Sequence, residues 1–157
     1  MVGKREVKKM IADETMKHML EVARFMYNHA DLIYDNPTEE QKRDLFTLGF
    51  VHDIGKEFEK KDKEYHGLVG AKMLRRLGYA FSDEVSEHGF EYDTTPELWL
   101  LNYADWCIAS DGTEMTPRLR LKNIYKCHTG RSKAYRHAKE FFQNFINDER
   151  INTETKA

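Results

Sequence analysis

Cysteine, proline and glycine are scarce in this chain of 157 residues, which contains two cysteines, three prolines and nine glycines. The cysteines, Cys107 and Cys127, match no zinc-ligand or redox spacing, which favours a reducing, cytoplasmic compartment. Neither a low-complexity linker nor an internal repeat interrupts the sequence. A chain of this length is expected to form one domain and to bury about 68–70% of its unfolded surface.

Long apolar runs and an excess of one charge are also missing. No stretch approaches the roughly 18 continuous apolar residues of a membrane span, and no apolar segment follows the basic N-terminus as in a signal peptide. The 25 basic and 27 acidic residues leave a formal net charge of −2, so the composition offers no basic footprint for nucleic acid. We therefore expect neither a membrane protein, nor a secreted one, nor a nucleic-acid binder.

Apolar residues recur at helical rather than alternating spacing, which predicts a nearly all-α protein. The helical core is expected over about residues 15–127, followed by an amphipathic helix over 132–147 and a polar, frayed tail over 149–157. The charged stretch 56–65 is expected to be a loop. The predicted helices cover about residues 13–34, 39–54, 66–77, 82–89, 95–110, 116–127 and 132–147.

Local signals support several of these boundaries. Thr38, with Gln41 three positions later, has the pattern of a capping box. Pro96 after Thr95 is typical of a helix start, and Gly55 is expected to end the second helix. The last predicted helix has an apolar face, which consists of Ala138, Phe141, Phe142, Phe145 and Ile146. This face predicts packing on the core, and a dimer interface is the alternative.

Several ionisable residues lie on the apolar faces of these helices: His18, His52 with the adjacent Asp53, His66 and Asp105. An ionised carboxylate buried without a partner is costly, and no arginine or lysine shares those faces. A metal cation held by neutral imidazoles and carboxylates would supply the missing charge. The pattern leaves open that each residue is an ordinary buried histidine or a hydrogen-bonded aspartate.

The segment around His52 carries a motif. Residues 49–56 read Gly-Phe-Val-His-Asp-Ile-Gly-Lys, a string that resembles the signature of the HD superfamily of metal-dependent phosphohydrolases. The superfamily pattern H…HD…D maps in order onto His18, His52 with Asp53, and Asp105, and the resemblance covers about residues 15–125. It implies an all-α HD-domain bundle of about six to seven helices.

Two further histidines match the binuclear branch of this superfamily. His66 opens the string His-Gly-Leu-Val-Gly-Ala, which looks like the H-x-x-x-G-A element of that branch, and His88 stands at the position of its next ligand. The resemblance implies that Asp53 bridges two metals. The other ligands would be His18, His52 and Asp105 for one metal, and His66 and His88 for the other. His29, His128 and His137 are not expected to be ligands.

The branch suggests a substrate class. The six-ligand order is similar to that of bacterial HD hydrolases that cleave symmetrical diadenosine tetraphosphate, although Gly-Phe-Glu-Tyr follows His88 in place of their threonine-rich turn. The cyclic-di-GMP phosphodiesterases share the string His-Asp-Ile-Gly-Lys, but their paired histidine and Gly-Tyr-Pro element are absent from this sequence. That activity is therefore not expected.

The ligand set is rich in nitrogen and oxygen, which suits iron, manganese, cobalt, nickel or zinc. The resemblance makes iron the first expectation. We expect hydrolysis of a nucleotide or a related phosphoester or phosphoanhydride by a metal-activated hydroxide, with Asp53 and Lys56 as catalytic residues. Lys56 would place its ammonium on a phosphoryl oxygen; the alternative is a solvated loop lysine. Arg118 and Arg120 are further candidates for phosphate contact, unless they are simply exposed helix arginines.

Three alternatives remain open at the level of the sequence. One is a mixed-valent di-iron oxygenase, because some HD-fold enzymes similar to myo-inositol oxygenase use the same ligands. Another is a mononuclear nucleotidase with four ligands. The third is a non-catalytic domain that binds a nucleotide. The expected partner is a small nucleotide or phosphoester, without nucleic acid or membrane, and a homodimer is left open.

Overall fold

The computed structural model describes the backbone of residues 4–56, 65–128 and 132–157, and the side chains of these residues from Asp13 onward apart from that of His128. These ranges are helical, with an isolated antiparallel bridge between Ile108 and Glu114. The all-α prediction is confirmed. The helices are α1 (Lys4–Asn28), a 3-10 helix (Ala30–Leu32), α2 (Glu39–Val51), α3 (His66–Arg76), α4 (Ser82–Glu87), α5 (Pro96–Cys107), α6 (Pro117–His128), α7 (Lys133–Ile146) and α8 (Thr153–Lys156).

The central helix is α5, which contacts α1, α2, α4 and α6. Every residue from Leu98 to Ala104 is buried, so this helix is enclosed on all sides rather than amphipathic. Around it, α1 packs along α2, α3 packs along α4, and α6 packs along α7. Because Asp105 follows directly on this buried segment, its carboxylate is held where the surrounding helices meet.

The start signals in the sequence are confirmed. The Thr38 side chain accepts a hydrogen bond from the Gln41 backbone amide, and the Gln41 side chain accepts from the Thr38 amide. At α5, Thr95 caps the helix by accepting from the Leu98 amide. The first helix differs, since it begins at Lys4 and ends at Asn28. No glycine or proline interrupts residues 4–12, so helix propensity extends it upstream of the predicted start.

The end of α2 also differs from the prediction, because the helix stops at Val51 and His52 and Asp53 lie in the turns that follow. Gly55 does not act as a left-handed cap. Instead, a Cβ built on Gly55 would lie 2.0 Å from the His66 carbonyl oxygen and 2.6 Å from the Gly70 nitrogen. Glycine is therefore required here by the close approach of α3, which brings His66 beside the turn that carries His52 and Asp53.

The C-terminal region packs against the core. The predicted apolar face of α7 is confirmed as core for Ala138, Phe141, Phe142 and Phe145, whereas Ile146 is 38% exposed. In the predicted polar tail over residues 149–157, most residues are exposed, but Ile151 is buried, α8 forms, and the Lys156 carbonyl accepts a hydrogen bond from Arg118. Residues 57–64 of the predicted loop lie outside the described residues. Within the described part of the chain, no helix has both the length and the apolar character needed to cross a membrane.

Candidate metal centre

Three segments bring together His18, His52, Asp53 and Asp105. His18 lies on the buried face of α1, Asp105 lies in α5, and the other two occupy the turn after α2. The Nε2 of His18 is 2.8 Å from Asp105 Oδ1 and 3.4 Å from Asp53 Oδ2. The Nε2 of His52 is 3.2 Å from Asp53 Oδ2 and 3.4 Å from Asp105 Oδ1. Two imidazoles and two carboxylates thus converge on one point in the interior.

Backbone carbonyls fix the orientation of three imidazole rings. Since a carbonyl oxygen only accepts hydrogen bonds, each Nδ1 must be the donor, and the Nε2 of the neutral ring then carries a lone pair. This arrangement of a ring that donates through one nitrogen and faces inward with the other is common among metal-binding histidines. The pairs are His18 with the Ala109 oxygen at 2.9 Å, His52 with the Gly49 oxygen at 2.6 Å, and His88 with the Val85 oxygen.

A second cluster forms on the other side of Asp53. Its Oδ1 is 3.1 Å from Nε2 of His66, the first residue of α3, and 3.3 Å from Nε2 of His88, which follows α4. The two imidazole nitrogens are 3.2 Å apart. Asp53 therefore turns Oδ2 to His18 and His52 and Oδ1 to His66 and His88. This is the arrangement expected of a carboxylate that bridges two cations.

The electrostatics of the cluster favour positive charge at its centre. Burial would raise the pKa of Asp53 and Asp105, but the nearby histidines outweigh it and hold both values well below the usual range. Burial would likewise lower the pKa of His52, yet the two carboxylates raise it to about 10, so without a metal a proton takes the place on Nε2 that a cation would occupy. Both aspartates are therefore ionised. The interior of the site is organised around two negative charges that a cation can neutralise.

Lys56 supplies part of that compensation. Its Nζ lies 3.1 Å from Asp53 Oδ2, and its side chain is 40% exposed. Burial would lower the lysine pKa, but attraction to Asp53 and Asp105 raises it overall, against an opposing effect from the charge of Arg120. The sequence showed that no lysine or arginine shares the helix faces of these carboxylates, but it did not show that Lys56 reaches Asp53 from the turn after α2.

The donor set fits metal ions. The ligand atoms of His18, His52, Asp53 and Asp105 all lie within 4.8 Å of one another, and so do those of Asp53, His66 and His88. The fully buried Nε2 of His52 has no hydrogen-bond partner of proper geometry within the described residues. Such an atom is costly unless a cation or a donor satisfies it. Each group could therefore hold a metal ion through imidazole and carboxylate ligands.

The structure brings together all six predicted ligands and places Lys56 beside them. It keeps His29 outside the cluster, where its ring stacks on that of Phe25 with the centroids 4.0 Å apart, and neither ligand group includes it. His137 is also no ligand: its Nε2 lies 2.7 Å from the Gly89 carbonyl oxygen and donates to it. The side chain of His128 lies outside the described residues.

A pocket of about 190 Å³ adjoins the cluster and was missed by the sequence reasoning. Asp105 lines it together with Arg120, His137 and four aromatic residues, which are Tyr65, Phe90, Trp106 and Phe141. One signal was present in the sequence, because Tyr65 and Trp106 are immediate neighbours of His66 and Asp105. Arg118, the other predicted phosphate contact, instead donates to the Lys156 carbonyl and lies over the Phe142 ring.

Comparison with known families agrees with this fold and site. The model of the HD domain matches residues 15–124, and the chain belongs to that family, whose members are generally metal-dependent phosphohydrolases. The predicted membership of the HD superfamily is therefore confirmed. The finer assignment to its binuclear branch remains a prediction.

One curated relative is similar to part of the chain. Ribonuclease Y of Thermosipho melanesiensis is 29% identical over 108 residues, which are 67% of this chain and 20% of that protein. The chain thus spans about a fifth of the length of this relative. No solved structure matches the chain significantly.

Proposed function

We propose that this protein is a metal-dependent phosphohydrolase that cleaves a nucleotide or a related phosphoester or phosphoanhydride. The observation that carries the proposal is the position of Asp53, whose two oxygens face two separate groups of imidazoles. A structural aspartate needs only one or two partners, whereas this carboxylate is contacted by four histidines and a lysine. Membership of the HD domain family supports the same reaction class.

Two metal ions would be held by this set. His18, His52, Asp105 and Asp53 would hold one, and His66, His88 and Asp53 would hold the other. Iron remains the first expectation, with manganese, cobalt, nickel or zinc also suited to these ligands. When bound, such ions act as Lewis acids on the phosphoryl group and activate water.

Lys56 provides the positive charge that faces the substrate. Its ammonium lies 3.1 Å from Oδ2 of Asp53 and its side chain is 40% exposed, so the carboxylate holds a side chain that solvent can still reach. It donates hydrogen bonds to a non-bridging phosphoryl oxygen and so stabilises the charge that develops there. The buried carboxylates keep it protonated, because they raise its pKa.

Phosphate release tests the proposal directly. Untagged protein purified without chelator is incubated with a panel of nucleotides that includes symmetrical diadenosine tetraphosphate, under argon and under air, with Asp53→Asn as the inactive control. Release of phosphate or a nucleotide product under argon, lost in the variant, supports hydrolysis. Turnover of a polyol or phosphonate that requires dioxygen, with no release from any nucleotide, would instead support the di-iron oxygenase.

A second candidate substrate is a phosphodiester of RNA. The relative named Ribonuclease Y is similar over 108 residues, although the chain covers only a fifth of it. The nearly balanced charge of this chain argues against a broad nucleic-acid surface. A fluorescently labelled oligoribonucleotide in the same assay separates the candidates, because shortening of the oligonucleotide would make RNA the substrate.

A further inference from the structure

The pocket beside Asp105 has the composition of a stacking site. Tyr65, Phe90, Trp106 and Phe141 form its walls, and its volume is about 190 Å³. Sites for drug-sized ligands are larger, at about 300–1,000 Å³, so this one has room for a single ring system. Aromatic walls bind the faces of nucleobases with little regard to sequence.

The pocket also lies against the metal ligands. Asp105 is part of its lining, Trp106 follows that ligand directly, and Tyr65 precedes the ligand His66. Phe90 comes two residues after His88. A ring bound in the pocket is therefore next to the phosphoryl group that the centre acts on.

The turn that presents Phe90 is fixed by three side chains. The Tyr65 hydroxyl donates to the His88 carbonyl at 2.6 Å, and His137 donates to the Gly89 carbonyl. The Gly89 amide donates in turn to the side chain of Asn102 at 2.9 Å. Gly89 has φ +83°, a left-handed conformation that glycine adopts without strain. The turn is thus held before any ligand binds, which lowers the entropy cost of binding.

Phe90 is placed as the outer wall of this pocket. Its ring meets Tyr65 edge-on at 4.4 Å and lies 4.7 Å from the His137 ring, yet the residue is 55% exposed. A large apolar side chain left exposed on a fixed turn gains burial when a ring covers it.

Arg120 adds a positive charge at the same pocket. Its guanidinium lies 3.4 Å from the Ser110 hydroxyl, and within the described ranges no carboxylate is at ion-pair distance from it. It lines both the aromatic pocket and the neighbouring groove of about 500 Å³ that contains Ser110 and Asn123. An arginine in this position suits a phosphate oxygen, which it binds through two parallel hydrogen bonds.

We propose that this pocket, lined by Tyr65, Phe90, Trp106 and Phe141, binds the base of a nucleoside phosphate, and that Arg120 binds a phosphate of the same molecule. The preferred substrates are then nucleotides rather than phosphoesters without a base. This inference rests on the proposed function. It narrows the proposed substrates to nucleotides whose base binds in the pocket beside Asp105.

Binding of a nucleoside that carries no phosphate tests the pocket separately from catalysis. The probe is 2-aminopurine riboside, whose fluorescence is quenched when its base stacks, titrated with the metal-containing protein. We expect saturable quenching that adenosine reverses and ribose does not. Phe90→Ala should weaken the affinity about tenfold, as expected for loss of one stacking side chain. The matched control is Tyr125→Ala, since Tyr125 is 52% exposed and outside the pocket.

The outcomes separate the two proposals. Absence of saturable quenching, or equal affinity in the native protein and Phe90→Ala, overturns the pocket proposal whatever the protein hydrolyses. Quenching with the expected loss in Phe90→Ala, together with no phosphate release from any substrate, retains the pocket and overturns the phosphohydrolase. For Arg120, adenosine 5′-monophosphate should compete more strongly than adenosine, and Arg120→Met should reduce that preference several-fold; an unchanged preference overturns its role.

Discussion

The Nε2 atoms of His66 and His88 lie 3.2 Å apart, although 22 positions separate the two residues in the chain. His88 donates through Nδ1 to a backbone carbonyl, so its neutral ring turns a lone pair toward His66. Both nitrogens also face Oδ1 of Asp53. Three electron-rich atoms at this separation are stable together only around a proton or a metal ion. Substitutions in this group therefore test whether a second metal binds.

Loss of His88 should remove one metal and leave the other. In His88→Ala, the group formed by Asp53 and His66 lacks a ligand, whereas His18, His52 and Asp105 are unchanged. We expect elemental analysis to give about one atom per chain in place of two. His29→Ala is the control, because that histidine bonds to the Phe25 carbonyl outside the site. Retention of two metals in His88→Ala would show that His88 is not a ligand.

Replacement of Lys56 by methionine should lower turnover without changing metal content. The substitution removes the ammonium but keeps much of the length of the side chain, and loss of a single charge-stabilising donor is expected to reduce kcat by about a hundredfold to a thousandfold. Lys122→Met, at an exposed position of α6, controls for loss of a positive charge. If Lys56→Met instead loses metal at unchanged turnover per bound metal, Lys56 is a structural partner of Asp53.

Gly55→Ala should destabilise the fold and disturb the second ligand group. The added methyl would meet the backbone of α3 at 2.0 Å and 2.6 Å, and backbone cannot move aside as a side chain can. We expect a loss of about 3 kcal/mol in the free energy of unfolding, at the upper end of overpacking effects. Gly78→Ala is the comparison: Gly78 has φ +73° but nothing within 4 Å, so only backbone strain of about 1 kcal/mol applies. Equal losses in urea denaturation would contradict the contact between Gly55 and α3.

Asp148→Asn should lower the free energy of unfolding at neutral pH, and this loss should be smaller in acid. Asp148 is buried and accepts hydrogen bonds from Tyr92, from the Trp99 indole at 2.8 Å and from Arg150. Together these partners outweigh burial and hold the Asp148 pKa far below its usual range. We expect a loss of about 2 kcal/mol, typical of hydrogen bonds to a charged group.

The pH dependence of this effect has a definite sign. Because the pKa of Asp148 is lower in the folded than in the unfolded state, its contribution is complete above about pH 4, the ordinary aspartate value, and is lost as the pH falls further. The difference in urea midpoint between native protein and variant should therefore be largest at neutral pH and shrink in acid. A difference that stays constant down to pH 3 would contradict the assignment.

The residues that meet in the candidate metal centre could be predicted from sequence, because helical periodicity and motifs that resemble the superfamily pattern mark them. Helical periodicity places His18 and Asp105 on buried faces, and the string around His52 and Asp53 identifies the superfamily. The helix caps at Thr38 and Thr95 could also be predicted, because their hydrogen bonds involve residues only three positions away.

What could not be predicted depends on contacts between distant segments. Nothing near Gly55 in the sequence shows that α3 passes against it, so the residue had the pattern of a helix cap. Asp148, near the C-terminus, accepts hydrogen bonds from Tyr92 and Trp99, which lie 56 and 49 residues away. The aromatic pocket is likewise assembled from segments between Tyr65 and Phe141 that meet only in the folded chain.

The number of metal atoms per chain shows whether the six candidate ligands hold two cations or one. Untagged protein is purified without chelator, and elemental analysis gives the identity and quantity of the bound metal. We expect close to two transition-metal atoms per chain, with iron first among the expected elements. A value close to one, unchanged when His66 or His88 is replaced by alanine, would contradict the binuclear assignment and leave a mononuclear site formed by His18, His52, Asp53 and Asp105.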